Sequence, residues 1–136
     1  MQNDKTTLLL NEIGNLLKTE TNCSLSVLLY AEVASNAVSG SIFTARGNQI
    51  ECRFPEDNLT DALMDLWDEQ PNDPPWVAIE YSVHEGRFKV VYTYADDSDW
   101  DEEFDRQQRV VHRYFGDTPI IYPPMPRNRF GLTFKL

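Results

Sequence analysis

The stretch WVAIEYSVHEGRFKVVYTY, residues 76–94, constrains the fold more than any other part of the chain. Two runs, WVAIEYSVH and RFKVVYTY, flank Glu85-Gly86. Both alternate with a period of two, as a strand with two unlike faces requires. Gly86 can take positive φ, which a two-residue hairpin turn needs. Folding the chain there sets Val83 opposite Phe88, Tyr81 opposite Val90, Ile79 opposite Tyr92 and Val77 opposite Tyr94. These eight apolar or aromatic residues share one face. The other face pairs Ser82 with Lys89, Glu80 with Val91 and Ala78 with Thr93. A slip of one residue would turn the whole apolar set to the wrong side, so agreement through the turn predicts an antiparallel hairpin in this register.

The rest of the chain supplies partners for that hairpin. SLSVLLYAEVA (24–34) and VSGSIFTA (38–45) read as strands joined by a tight turn at Ser35-Asn36, and GNQIECRF (47–54) as a third strand stopped by Pro55. Residues 5–19 place Leu9, Ile13, Leu16 and Leu17 at helical spacing, with Thr6 or Asp4 as the cap. In DNLTDALMDLWDEQ (57–70), Leu59, Ala62, Leu63, Leu66 and Trp67 form one apolar face, with Asp57 or Asn58 as the cap and Pro71 as the stop. A last helix over 98–115 carries Trp100, Phe104, Gln107, Val111 and Tyr114 in a stripe, with Ser98 as N-cap and Gly116 at its end. The resulting order, α-β-β-β-α-β-β-α, predicts a single α+β domain over residues 1–116. Its antiparallel sheet has about five strands, with helices packed largely on one face. Residues 117–136 read as a Pro-rich tail in which RFGLTFKL could add a short strand. A chain of 136 residues fits one domain and buries enough surface to fold without a metal or disulfide staple.

Charge is distributed unevenly. Residues 51–105 carry seventeen acids against three bases, whereas residues 106–136 carry one acid against six bases. The middle of the chain therefore exceeds the whole net charge of −10. Such a field repels nucleic acid and anionic membranes and attracts basic proteins. No apolar run approaches a membrane span, and MQNDKTTLLLNEIGNLLK lacks the basic start of a signal peptide, so a cytoplasmic location is expected. Cys23 and Cys52 form no CxxC and read as small apolar residues in or beside strands.

The densest acidity is DDSDWDEEFD, residues 96–105, in which seven of ten residues are acidic. Asp97, Asp99 and Asp101 have the alternate spacing that opens a calcium loop, but such a loop needs Gly at its sixth position and Glu at its twelfth. Those positions hold Glu102 and Gln108, so no metal site is expected. His84 and His112 fall on a hairpin tip and a helix, and no GxSxG, HExxH, Walker or GxGxxG pattern occurs. Neither catalytic residues nor a cofactor are expected. A solvated loop leading into a capped helix accounts for Ser98 and Asp101, but not for Asp96, Asp97 and the full acidic count. The other helix adds Asp61, Asp65 and Asp68 on its polar side, and Asp68 with Glu69 opposes the dipole at its C-terminus. A basic partner protein would relieve this repulsion. Trp67 and Trp100 fit apolar helix stripes, while a tryptophan among acids could also anchor a partner.

Three segments, YAEVASNAVSGSIF, PPWVAIEYSVHEGRFKVVYTYADD and RQQRVVHRYFG, together resemble the YezG-like family of bacterial immunity proteins. The shared features are Pro75-Trp76, Gly86-Arg87-Phe88, Tyr92-Thr93-Tyr94, Asp96-Asp97 and Tyr114-Phe115-Gly116, in that order, across roughly residues 5–116. The resemblance implies an antitoxin that binds and neutralises the C-terminal domain of a polymorphic toxin, often a basic nuclease. On that reading the expected toxin contacts are Asp97, Asp99, Trp100, Asp101, Glu102 and Asp105, with Asp61, Asp65 and Asp68 as a second face. The alternative is an acidic secretion chaperone, a dimer that carries an unfolded effector segment.

Overall fold

The computed structural model describes residues 4–22, 26–34, 37–70, 74–94 and 103–122. Within these described residues, three helices and six strands follow in order: α1 (Asp4–Thr21), β1 (Ser26–Ala34), β2 (Ala37–Arg46), β3 (Gln49–Arg53), α2 (Asp57–Glu69), β4 (Trp76–His84), β5 (Arg87–Tyr94), α3 (Glu103–Phe115) and β6 (Ile120–Ile121). One sheet in the order β5-β4-β1-β2-β3-β6 runs through the molecule. The α+β class is as expected. Two features differ: the sheet has six strands, and it is mixed, because β6 pairs parallel to β3 through Ile50–Ile120 and Glu51–Ile121. That pairing carries the sheet past Gly116. RFGLTFKL lies outside the described residues.

The β4–β5 hairpin has the register read from the sequence in six of its rungs, from Val83–Phe88 to Ala78–Thr93. Glu85 and Gly86 both adopt positive φ, 52° and 83°, the conformation a tight hairpin turn requires. The rung that differs is the last. A bulge between Trp76 and Ala78 places Trp76, not Val77, opposite Tyr94. The cause is Trp76 itself. Its ring is buried against Tyr92, with centroids 5.2 Å apart. Its backbone N–H donates to Gln70 Oε1 at 2.9 Å, and its carbonyl accepts from Trp67 Nε1 at 2.8 Å. One extra residue in the strand brings the large ring to the core face.

Helix ends also depart from the sequence reading. α2 begins after Glu56, not after Asp57 or Asn58. Glu56 is extended and makes no side-chain cap; its N–H instead donates to Glu20 Oε1 at 3.1 Å. α1 takes in both Asp4 and Thr6, its expected caps, and continues to Thr21. Asn22 follows it at φ 51°, and its N–H closes on Lys18 O at 2.8 Å.

Two of the three helices share a face of the sheet, and the third takes the other. α1 and α2 cover the side carrying Val27, Leu29, Ala31, Ile42, Ile79 and Tyr81. α3 covers the opposite side, against Leu28, Tyr30, Phe43, Ile50 and Cys52. The connectivity accommodates this split. α2 carries the chain from β3 to β4 over one face, and α3 carries it from β5, at one edge, to β6 at the other. Burial holds the Cys52 thiol protonated, pushing its pKa up to about 11.

Gly14 is a fitted residue in α1. A Cβ there would come within 2.6 Å of the Tyr81 hydroxyl, which donates to Leu10 O at 2.7 Å in the buried core. Ala in a helix is worth about 1 kcal/mol over Gly, whereas disrupting a buried hydrogen bond loses about 1–3 kcal/mol. Gly14→Ala is therefore expected to destabilise the protein in urea unfolding, and to stabilise it when Tyr81→Phe has already removed the hydroxyl. A stabilising effect in the wild-type background would show that Tyr81 yields without loss.

Candidate partner-binding surface

α2 presents the clearest charged surface. Its sequence sends Leu59, Ala62, Leu63 and Leu66 into the core, and helical periodicity puts Asp57, Asp61, Asp65 and Asp68 on the solvent side, where all four are exposed. Eleven residues at 1.5 Å rise spread these carboxylates over about 16 Å. Like charges at i, i+4 each destabilise a helix by a few tenths of a kcal/mol. The last turn contains no basic residue. Glu69 is met by Lys5 Nζ at 3.3 Å, but among the described residues no cation meets Asp61, Asp65 or Asp68.

Asp105 is also exposed, near the start of α3. Because α3 and α2 lie on opposite faces of the sheet, Asp105 does not join Asp61, Asp65 and Asp68 in one surface. Asp97, Asp99, Trp100, Asp101 and Glu102 lie outside the described residues. Trp67, the other tryptophan weighed as an anchor, is partly buried against the core and serves packing.

α3 is held to the sheet by a polar layer that the sequence reading missed. Arg106 makes a two-pronged pair with Glu32 of β1, at 2.7 Å from Nε and 2.6 Å from Nη2. Tyr30 donates its hydroxyl to the same carboxylate. This partnership holds Arg106 still more firmly in its charged form, and burial together with Glu32 raises the Tyr30 pKa. Two turns along α3, Arg113 Nη1 lies 3.1 Å from Glu80 Oε1, and the Tyr114 hydroxyl donates to the same oxygen at 3.2 Å. Glu80 is only 4% exposed, so these partners offset the cost of burying a carboxylate. Ser41 donates to Gln107 Oε1 at 3.4 Å, and Val110 and Val111 of α3 are buried beside this layer. The available signal was the position of Glu80: it sits on the second face of β4, a face that reads as solvent until α3 is seen to cover it. The seven-residue spacing of Arg106 and Arg113 matches two helical turns.

The histidines do not form a pair. His84 is exposed at the hairpin tip beside Glu85, and His112 on α3 contacts Asp117 at 2.8 Å. No group of three His, Cys, Asp or Glu residues with metal-binding geometry occurs among the described residues. No described helix is long and apolar enough to cross a membrane. No family model and no curated protein matches this chain.

The Glu80–Arg113 pair gives a direct test of how α3 is held. Arg113→Met strands a buried carboxylate and is expected to lower stability by about 1–3 kcal/mol, less than a fully buried pair because Arg113 is largely exposed. Adding Glu80→Gln should recover most of that loss. Amide exchange at Val110 and Val111 should accelerate in the single variant and return in the double. Two losses that simply add would mean the residues act independently.

Proposed function

We propose that this protein is an immunity protein that acts in the cytoplasm and neutralises a cognate toxin domain by stoichiometric blockade through an acidic surface. The toxin is a basic nuclease domain. The observation that carries this reading is the solvent face of α2. Asp61, Asp65 and Asp68 stand exposed on a helix whose folding gains nothing from them. Asp68 even opposes the helix dipole. Acidic groups retained against local stability fit a surface selected for a basic partner. Nuclease domains are basic because they bind phosphate, and an acidic protein can occupy or mask that surface. The ordered motifs shared with the YezG-like family support the same reading, as does the acidic run of residues 96–105. The same charge leaves no role for direct nucleic-acid binding by the acidic surface.

The decisive experiment is co-expression with the C-terminal domain of a large secreted protein encoded immediately upstream. Rescue of growth together with a one-to-one complex is the expected result. A dimer that binds only an unfolded segment of a secreted effector would replace this reading with that of a secretion chaperone.

Charge should act mainly on the encounter. The triple variant Asp61→Asn, Asp65→Asn, Asp68→Asn is expected to slow association by about tenfold at low ionic strength and to flatten its salt dependence. Its thermal stability should be unchanged or slightly higher. An unaltered salt slope in stopped-flow binding would remove α2 from the interface.

A further inference from the structure

A groove of about 400 Å³ lies between the second half of α1 and the β4–β5 hairpin. Its volume is in the range of small-molecule sites. Asn11, Gly14, Asn15 and Lys18 form one wall, at the i, i+3, i+4, i+7 spacing of a single helix stripe. This stripe runs beside the buried one of Leu10, Ile13 and Leu17. Val27, Tyr81, Val83 and Phe88 supply the apolar side. Phe88 stacks on Tyr81 with centroids 5.1 Å apart and an interplanar angle of 11°, yet Phe88 remains 44% exposed. An aromatic plane is thus backed by the core and left open to the groove.

The polar wall is not explained by folding. Asn is a poor helix former, and two of them on one stripe weaken α1 without packing in return. Gly14 is accounted for by the Tyr81 hydroxyl, and Lys18 suits the dipole at a helix C-terminus. Neither explanation extends to Asn11 and Asn15. Both are exposed, as is Lys18, and among the described residues none of the three side chains is engaged in a hydrogen bond or an ion pair. The groove also reverses the charge of the molecule. Among the described residues its lining contains one ammonium and no carboxylate, in a chain of net charge −10.

We propose that this groove binds a small amphiphilic carboxylate. Its flat apolar body lies on Phe88, with Tyr81 stacked behind that ring, and its carboxylate accepts hydrogen bonds from Lys18 and the Asn15 side-chain amide. Asn11 presents a further amide along the same wall. The charge pattern selects this occupant. A cation would meet Lys18 with nothing to offset it, and a purely apolar ligand would leave the amides and ammonium without partners. This site is separate from the acidic face of α2 and does not depend on the toxin-binding reading.

The test uses the full chain labelled with ¹⁵N and three matched probes: 3-phenylpropionate, 3-phenylpropionamide and 3-phenylpropylamine. The carboxylate should give saturable shifts at Gly14, Asn15, Lys18 and Gly86, and bind about tenfold more tightly than the amide. The amine should bind most weakly. Lys18→Gln is expected to bring the carboxylate down to the affinity of the amide, and Phe88→Ala to weaken all three probes. Both residues are surface-exposed, so both variants should keep a dispersed, folded spectrum. Absence of saturable shifts at these residues, equal affinity for carboxylate and amide, or an unchanged preference in Lys18→Gln would overturn the proposal. A peptide Gly-Gly-Phe with a free carboxyl terminus that bound more tightly than 3-phenylpropionate would overturn it in favour of a chain terminus as the ligand.

Discussion

Everything in this fold stands on β1, a central strand covered on both faces. It pairs with β2 on one side and β4 on the other, over nearly its whole length. Val27, Leu29 and Ala31 point to the α1 and α2 layer, and Leu28 and Tyr30 point to α3. At roughly 25 cal/mol per Å² of apolar surface, a strand buried twice anchors both layers at once. The two hairpins meet only through β1 and β4. Without that pairing, β4–β5 would be a two-stranded ribbon of marginal stability, cut off from β1-β2-β3-β6.

The two helix layers are attached by different physics. α1 and α2 sit on a continuous apolar cluster built from leucine, isoleucine, tyrosine and tryptophan. α3 sets Val110, Val111, Tyr114 and Phe115 on a smaller apolar cluster and adds a polar layer of Glu32, Glu80, Arg106, Arg113 and Gln107. Apolar packing is insensitive to salt and pH over ordinary ranges, whereas partly exposed ion pairs are screened. The α3 layer is therefore the more responsive of the two. It is also the layer next in sequence to the acidic run of residues 96–105, so the docking of α3 positions the end of that run at Asp105.

Two surfaces of opposite character result. The outer side of α2 concentrates exposed carboxylates, and among the described residues no cation meets Asp61, Asp65 or Asp68. The groove between α1 and the β4–β5 hairpin contains amides, an ammonium and an aromatic plane, with no acid among the described residues. A charged protein that folds around one core can separate its fields in this way because helices and hairpin ends project from different places on the sheet. The acidic face suits a large basic partner, where charge governs encounter. The groove suits a small ligand, where enclosure and a few directed polar groups govern binding.

Much of this was legible in the sequence wherever the governing interaction is local. The hairpin register followed from period-two alternation meeting at Glu85-Gly86, because a turn couples neighbours without reference to the rest of the chain. The acidic face of α2 followed from helical spacing alone. The shift at Trp76 did not follow, since it depends on Trp67 and Gln70 at the end of another element. The covered position of Glu80 was equally hidden, because alternation tells which residues share a face but not what lies above it. The sequence by itself determined the strands, the helices and the carboxylates that α2 turns to solvent, through periodicity and turn chemistry. Only the tertiary structure decided that α3 crosses to the opposite face, that Ile120 and Ile121 extend the sheet, and that Asn11, Asn15 and Lys18 line a groove with Phe88. Those outcomes rest on contacts between residues far apart in the chain, whose free energy no local pattern records.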